Sequence, residues 1–163
     1  MLKLLTLSCV ALLFVACSNE KNIKAKPSMF QTVSKENATL IQSGKDKEYC
    51  GRCGMDLVKY YKTSHSATYE GKHYQYCSIH CLVDHLADGI ELKNPEVVDV
   101  NSLKFISIAN AVYVVDSNKR GTMSRISKYA FSNEKQAKEF KAKNSGEIMD
   151  FYEALEVAKK DFK

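Results

Sequence analysis

Apolar and polar residues alternate with two different periods along the chain, and the order of these periods predicts an α+β fold. Short runs rich in Tyr, Thr and Val predict strands, since aromatic and β-branched residues favour an extended backbone. Longer runs in which apolar positions recur every three or four residues predict helices. The order strand–strand–helix–strand occurs twice, over residues 49–103 and over residues 104–163, where a further helix follows.

Turn and cap residues set the predicted boundaries of these elements. Glu70-Gly71-Lys72 predicts a hairpin turn, Ser78 a helix cap, and Ser132 or Asn133 a second helix cap. The first unit is predicted to contain strands at 66–69 and 73–76, a helix at 78–88 and a strand at 97–100. The second is predicted to contain strands at 111–115 and 127–131, a helix ending at 143, a strand at 147–151 and a helix at 152–161.

The N-terminus has the pattern of an export signal. A short positive start precedes an apolar run over residues 4–15, and a small residue, Ala16, precedes Cys17. Such a run is typical of a secretory signal and is too short for a lasting membrane span. A cysteine after the small residue resembles the bacterial lipoprotein box. We therefore expect residues 1–16 to be removed, Cys17 to carry a lipid, and residues 17–48 to form a flexible polar tether.

The charge pattern narrows the possible functions. The 24 Lys and Arg residues exceed the 19 Asp and Glu residues, which gives a formal net charge of +5. The lysines are spread along the chain and have no stacked aromatic run between them, so the pattern argues against nucleic-acid binding. The charged residues around the cysteines form no recognisable general acid–base pair, and we expect no enzyme activity.

Two clusters of sulfur-containing residues carry the candidate chemistry. They are Cys50-Gly51-Arg52-Cys53-Gly54-Met55 and Cys77-Ser78-Ile79-His80-Cys81. The glycines permit a tight loop in the first cluster. In the second, Cys77 and Cys81 lie one helical turn apart on one face. Thiolate and thioether ligands select Cu(I), whereas thiolates alone also hold Zn(II). The pattern therefore predicts a site for a soft metal ion.

The residues alone leave several interpretations open. A structural Zn(II) site needs only four Cys or Cys/His ligands, and two disulfides need only proximity in an oxidising compartment. A Cu(I) site would add thioethers, such as Met55 and Met123, and His80 is a further candidate ligand. Thiol–disulfide exchange at Cys50 and Cys53 is another alternative, although it leaves the second cluster and the methionines unexplained.

The motifs resemble those of known families. Cys53-Gly54-Met55 and Ala67-x-Tyr69-x-Gly71-Lys72-x-Tyr74-x-Tyr76-Cys77-Ser78-x-x-Cys81 resemble the YHS and TRASH-like metal-binding modules, over residues 50–88. Residues 17–155 resemble NosL, the family of nitrous oxide reductase accessory lipoproteins. The matching motifs are the lipoprotein start, Cys50-x-x-Cys53-Gly54-Met55, Gly121-Thr122-Met123-Ser124, Tyr129-Ala130-Phe131 and Gly146-Glu147-Ile148-Met149-Asp150-Phe151.

The resemblance implies a fold and a function. NosL-like proteins have two strand–strand–helix–strand units, lie lipid-anchored on the periplasmic side of the envelope and bind Cu(I). They are implicated in supplying copper to nitrous oxide reductase together with a dedicated ABC-type membrane complex. By this resemblance we expect copper binding first by Cys53, Met55 and Met123, then by Cys50, Cys77 and Cys81, and last by His80.

Overall fold

The computed structural model describes residues 29–161 and confirms an α+β fold. The first unit contains strands β1 (His65–Tyr69) and β2 (Lys72–Tyr76), helix α1 (Ile79–Leu86), and strands β3 (Lys93–Val98) and β4 (Phe105–Ser107). The second contains strands β5 (Val112–Val115) and β6 (Lys128–Phe131), helix α2 (Glu134–Asn144), strand β7 (Glu147–Met149) and helix α3 (Phe151–Asp161). Short 3-10 turns lie at Lys35–Asn37, Tyr61–Thr63 and Ile108–Asn110.

The two units repeat one sheet topology. The first sheet has the strand order β2-β1-β3-β4 and the second has the order β6-β5-β7. In each unit the first strand is central and pairs antiparallel with both the second and the third. The predicted strand–strand–helix–strand repeat is thus confirmed.

The sequence missed β4 and the path of the chain between the units. β4 begins just beyond residue 103, the predicted boundary, and pairs with β3 in the first sheet. The strand predicted at 97–100 starts earlier, at Lys93, and its last part leaves the first sheet. There Asp99 bridges Ala130 of β6, and the Val100 amide donates to the Ala130 carbonyl over 2.9 Å. This crossing joins the two sheets.

The helix caps differ between the units. The Asn133 side chain accepts a hydrogen bond from the Gln136 amide and so caps α2 as predicted. Ser78 occupies the equivalent position before α1, but its side chain makes no capping bond. Its hydroxyl lies 3.5 Å from Nδ1 of His80 instead.

A buried hydrogen bond also joins the two central strands. Nε2 of His65, on β1, lies 3.0 Å from the Tyr113 hydroxyl on β5, and both side chains are fully buried. Burial lowers the pKa of His65 to about 3, so the imidazole is neutral at physiological pH. The contact links the central strands of the two units.

Part of the predicted tether, residues 29–48, lies within the described chain and packs against the folded units. The Phe30 ring lies 5.0 Å from the ring of Tyr129, and Gln31 is 1% exposed. Residues 1–28, with the predicted signal and the predicted lipid site Cys17, lie outside the described residues. Within residues 29–161, no helix has the length and apolar character needed to span a membrane.

Candidate metal centre

A closed loop positions the first group of sulfur atoms. The Cys50 amide donates to the Met55 carbonyl over 2.8 Å, and the Gly54 amide donates to the Cys50 carbonyl over 2.9 Å. Gly54 adopts a φ of 72°, which favours glycine. Arg52 binds Asp84 and Asp88 at 2.8 Å and ties the loop to α1 and the turn after it.

The β2–α1 junction positions the second group. Cys77 directly follows β2, and Cys81 lies in the first turn of α1. Both are about 1% exposed or less. The Cys77 carbonyl accepts a hydrogen bond from the Thr63 hydroxyl over 2.8 Å, which fixes the backbone at this junction.

A loop from the second unit supplies Met123. Residues 116–127 connect β5 to β6, and Gln31 donates to the carbonyls of Arg120 and Gly121 within this loop. Met123 has a φ of 67°, a left-handed conformation that costs a residue with a Cβ about 1–2 kcal/mol. The loop thus holds Met123 in a conformation that its own backbone disfavours.

These three segments converge on one sulfur cluster, which comprises the thiols of Cys50, Cys53, Cys77 and Cys81 and the thioethers of Met55 and Met123. Sγ of Cys77 is central to it. That atom lies 3.5 Å from Sγ of Cys53, 3.8 Å from Sγ of Cys81, 3.8 Å from Sδ of Met55 and 3.7 Å from Sδ of Met123. Sγ of Cys81 lies 3.2 Å from Sδ of Met123, and the four thiol sulfurs lie within 4.8 Å of one another.

The four cysteines of residues 29–161 are not in disulfides. The pKa values of three of these thiols are shifted in opposite directions. Hydrogen bonds from the Cys77 and Cys81 thiols lower the pKa of Cys50 far below its ordinary value. The same bonds to Cys50 are the main cause of the raised pKa of Cys77 and of Cys81. A bound soft cation would replace the remaining thiol protons, so metal binding would release protons.

Comparison with known proteins identifies the family. The NosL family model matches residues 41–157, which is more than two thirds of the chain. The chain belongs to the NosL family. A solved structure described as the copper chaperone NosL from Shewanella denitrificans aligns with a TM-score of 0.55 and 24% identity, covering 69% of this chain and 92% of that one. No curated protein shows significant similarity to the chain.

The candidate ligands of this NosL-family chain fall into two groups. Cys50, Cys53, Cys77, Cys81, Met55 and Met123 all meet in the sulfur cluster, as the preceding distances show. His80 does not join them, because its neighbour Cys81 points to the cluster and successive helical residues point about 100° apart. Nε2 of His80 instead lies 2.7 Å from a carboxylate oxygen of Asp161.

The Asp161 carboxylate is the centre of a polar clamp beside the sulfur cluster. The clamp comprises His80, Ser124, Lys128 and Asp161. Asp161, on α3, accepts hydrogen bonds from the Ser124 hydroxyl over 2.9 Å and from the Lys128 ammonium over 2.6 Å. Because His80 precedes Cys81 and Ser124 follows Met123, the clamp holds both ligand-bearing segments. Sequence reasoning missed Asp161, and nothing in the chain pattern distinguishes it from other acidic residues of an amphipathic helix.

The methionine side of the cluster opens to a groove of about 660 Å³. Its lining includes Met29, Met55, Met123, Lys59, Arg120 and Arg125. Met123 is 37% exposed, and Cys53 is also exposed, whereas Cys77 and Cys81 are buried. The NosL-family site therefore combines sulfur atoms that solvent or a partner can reach with others that are enclosed.

Proposed function

We propose that this protein is a lipid-anchored envelope protein that binds Cu(I) and delivers it for assembly of the copper sites of nitrous oxide reductase. The observation that carries the proposal is the contact of two thioether sulfurs, from Met55 and Met123, with the thiol of Cys77. Thioether and thiolate together are the ligand set that selects Cu(I). Family membership and the named copper chaperone of similar fold support the same assignment.

A structural Zn(II) site is the second candidate, because the four thiols lie within 4.8 Å of one another. Such a site is closed by four thiolates and has no use for a thioether. The strained backbone of Met123 favours copper instead, since a ligand role would explain why the loop holds the side chain there. Thiol–disulfide exchange would use the exposed Cys53 but would give Met55 and Met123 no part.

The unequal exposure of the ligands supports a role in delivery. Cu(I) held partly by the accessible sulfurs of Cys53 and Met123 can be attacked by the ligands of a receiving protein. The enclosed sulfurs of Cys77 and Cys81 retain the ion until the exchange. A lipid on Cys17 would keep the protein on the periplasmic side beside the ABC-type assembly complex and raise its effective concentration there.

Metal retention tests the binding part of the proposal. The protein is purified without oxygen, and its copper, zinc and free thiols are counted in the wild type, Met55→Ala and Met123→Ala. Met149→Ala is the matched control, since Met149 lies in the core outside the sulfur cluster. We expect the wild type and the control to retain Cu(I) in the presence of a competing chelator. Both cluster variants should lose it. Zinc retained equally in all four proteins, or thiols oxidised in the native fold, would contradict copper binding.

Copper content of the receiving enzyme tests delivery. In cells that make nitrous oxide reductase, the gene for this protein is deleted and restored as wild type, Met123→Ala or Met149→Ala. We expect the reductase to lack copper in the deletion and in Met123→Ala, and to be filled in the other two. Reductase filled with copper in the deletion strain would refute this role.

A further inference from the structure

The sulfur cluster contains more donor atoms than one Cu(I) ion can use. Four thiols and two thioethers converge, whereas a single ion takes at most four ligands in sulfur sites of this kind. With one ion, at least two of the six sulfurs would bind no metal. The strained Met123 would be among the candidates to be left unused. The surplus of donors points to a second ion.

Five of the six sulfurs form two triads that share one atom. Cys77 with Cys53 and Met55 forms the first triad, through contacts of 3.5 and 3.8 Å. Cys77 with Cys81 and Met123 forms the second, through contacts of 3.8, 3.7 and 3.2 Å. Three sulfurs around one ion, at a metal–sulfur distance of about 2.3 Å, lie about 4 Å apart. The second triad needs only a small expansion to reach this geometry, and both contacts of Cys77 in the first triad are already close to 4 Å.

We propose that the sulfur cluster binds two Cu(I) ions bridged by the thiolate of Cys77. This inference rests on the proposed function, because it assigns the number of copper ions to the same site. A thiolate sulfur has lone pairs for two metal ions, and Cys77 is the atom that contacts members of both triads. Each ion then has two thiolates and one thioether, and Cys50, the remaining thiol, lies within 4.8 Å of the thiols of both triads.

Charge balance favours the second ion. Binding deprotonates Cys53, Cys77 and Cys81, so three protons leave the cluster and the copper remains Cu(I) throughout. The three ligand thiolates with one Cu(I) carry a net charge of −2 and with two Cu(I) they carry −1, and a deprotonated Cys50 beside them adds one further negative charge in both cases. Because Cys77 and Cys81 are about 1% exposed or less, their uncompensated charge is costly. The second Cu(I) reduces that cost.

Each triad also has one reachable member. Cys53 is exposed in the first triad, and Met123 is 37% exposed in the second. Either ion can therefore be approached by the ligands of a partner without opening the fold. The buried bridge of Cys77 would hold one ion while the other is transferred.

Copper stoichiometry with single-ligand variants tests the proposal. The full-length chain, carrying Cys9→Ser and Cys17→Ser so that only the clustered thiols remain, is reduced and titrated with Cu(I) in detergent without oxygen. Bound copper per chain, the luminescence of multinuclear Cu(I)–thiolate centres and copper–copper scattering in X-ray absorption are measured. Circular dichroism confirms that each variant is folded.

We expect two ions in the unmodified cluster, with luminescence and a copper–copper component. Cys53→Ser and Cys81→Ser each remove one triad, so each should bind one ion and lose both signals. Met149→Ala, the control outside the sulfur cluster, should retain two ions. One ion and no copper–copper component in the unmodified cluster would overturn this inference and leave the proposed function standing. No tightly bound Cu(I) at all would overturn both.

Discussion

The first unit of the molecule places Cys77 where the second places Ser132. Both residues directly follow the second strand of their unit, and in both units two residues separate that strand from the helix. One turn into the helix, Cys81 of the first unit corresponds to Gln136 of the second. The N-cap residues Ser78 and Asn133 both have an extended backbone. The difference between the two junctions lies in their side chains, which give the first junction its two thiols.

The hairpins differ in length as well as in chemistry. Glu70 and Gly71 make a tight turn between β1 and β2, whereas residues 116–127 form a long loop between β5 and β6. That loop carries Met123 across to the thiols of the first unit. The candidate site therefore depends on two departures from the repeat: cysteines at one junction and a long hairpin in the other unit.

Removal of the central thiol should have the largest effect on copper binding. Cys77→Ser takes away the sulfur that contacts four others, so the Cu(I) affinity should fall more than about 100-fold, beyond what loss of a supporting residue causes. Competition with a Cu(I) chelator measures this. Ser132→Ala, at the equivalent junction of the second unit, is the control and should not change the affinity. A loss below tenfold in Cys77→Ser would show that Cys77 is not a ligand.

Distortion of the long hairpin should have the next largest effect. A Cβ at Gly121 would lie 2.6 Å from the Ser124 carbonyl oxygen and 2.8 Å from that of Ile126, so Gly121→Ala forces the loop to move. Displacement of Met123 should lower the Cu(I) affinity about 10- to 100-fold.

The short hairpin supplies the matched control for that variant. Gly71 has a φ of 75° and no atom within 4 Å of the added Cβ. Gly71→Ala should reduce the free energy of unfolding by about 1 kcal/mol and leave the affinity unchanged. Equal affinities in the two alanine variants would mean that the long hairpin does not position a ligand.

Loss of the polar clamp should have the smallest effect on binding. Asp161→Asn removes the charge that Lys128 and His80 share, and the side chains of Lys128 and Asp161 are 3% and 11% exposed. We expect the Cu(I) affinity to fall by about tenfold at most. The free energy of unfolding should fall by about 3 kcal/mol, because the buried ammonium of Lys128 loses its partner.

Chemical denaturation and chelator competition together measure those two effects. Glu156→Gln on the same helix is the control, since its ion pair with Lys159 is exposed and contributes little. Unchanged stability in Asp161→Asn would contradict the clamp.

Local patterns along the sequence predicted much of the fold and of the candidate site. Strand alternation and helical spacing depend on near neighbours, so both repeats could be found, and the cysteine spacing identified both thiol groups. The short strand β4, at Phe105–Ser107, offers too few residues for a periodic signal. Its pairing depends on the neighbouring β3.

Contacts between distant segments could not be predicted in this way. Gln31 holds the carbonyls of Arg120 and Gly121, about 90 residues away, and Asp161 binds His80 across 81 residues. No local pattern encodes such distances. The need for a thioether and the family resemblance both suggested Met123 as a ligand, but only the path of the long hairpin places its sulfur 3.2 Å from that of Cys81.

The most direct test of a copper site shared between the units is X-ray absorption at the copper edge of Cu(I)-loaded protein in which selenomethionine replaces methionine. The Met55→Leu background leaves Met123 as the one clustered methionine of residues 29–161. Copper–selenium scattering should persist in the Met55→Leu protein. It should disappear in Met55→Leu/Met123→Leu and remain in the control, Met55→Leu/Met149→Leu. A copper shell of thiolate sulfur alone, with no selenium in the Met55→Leu protein, would contradict a thioether ligand from the second unit.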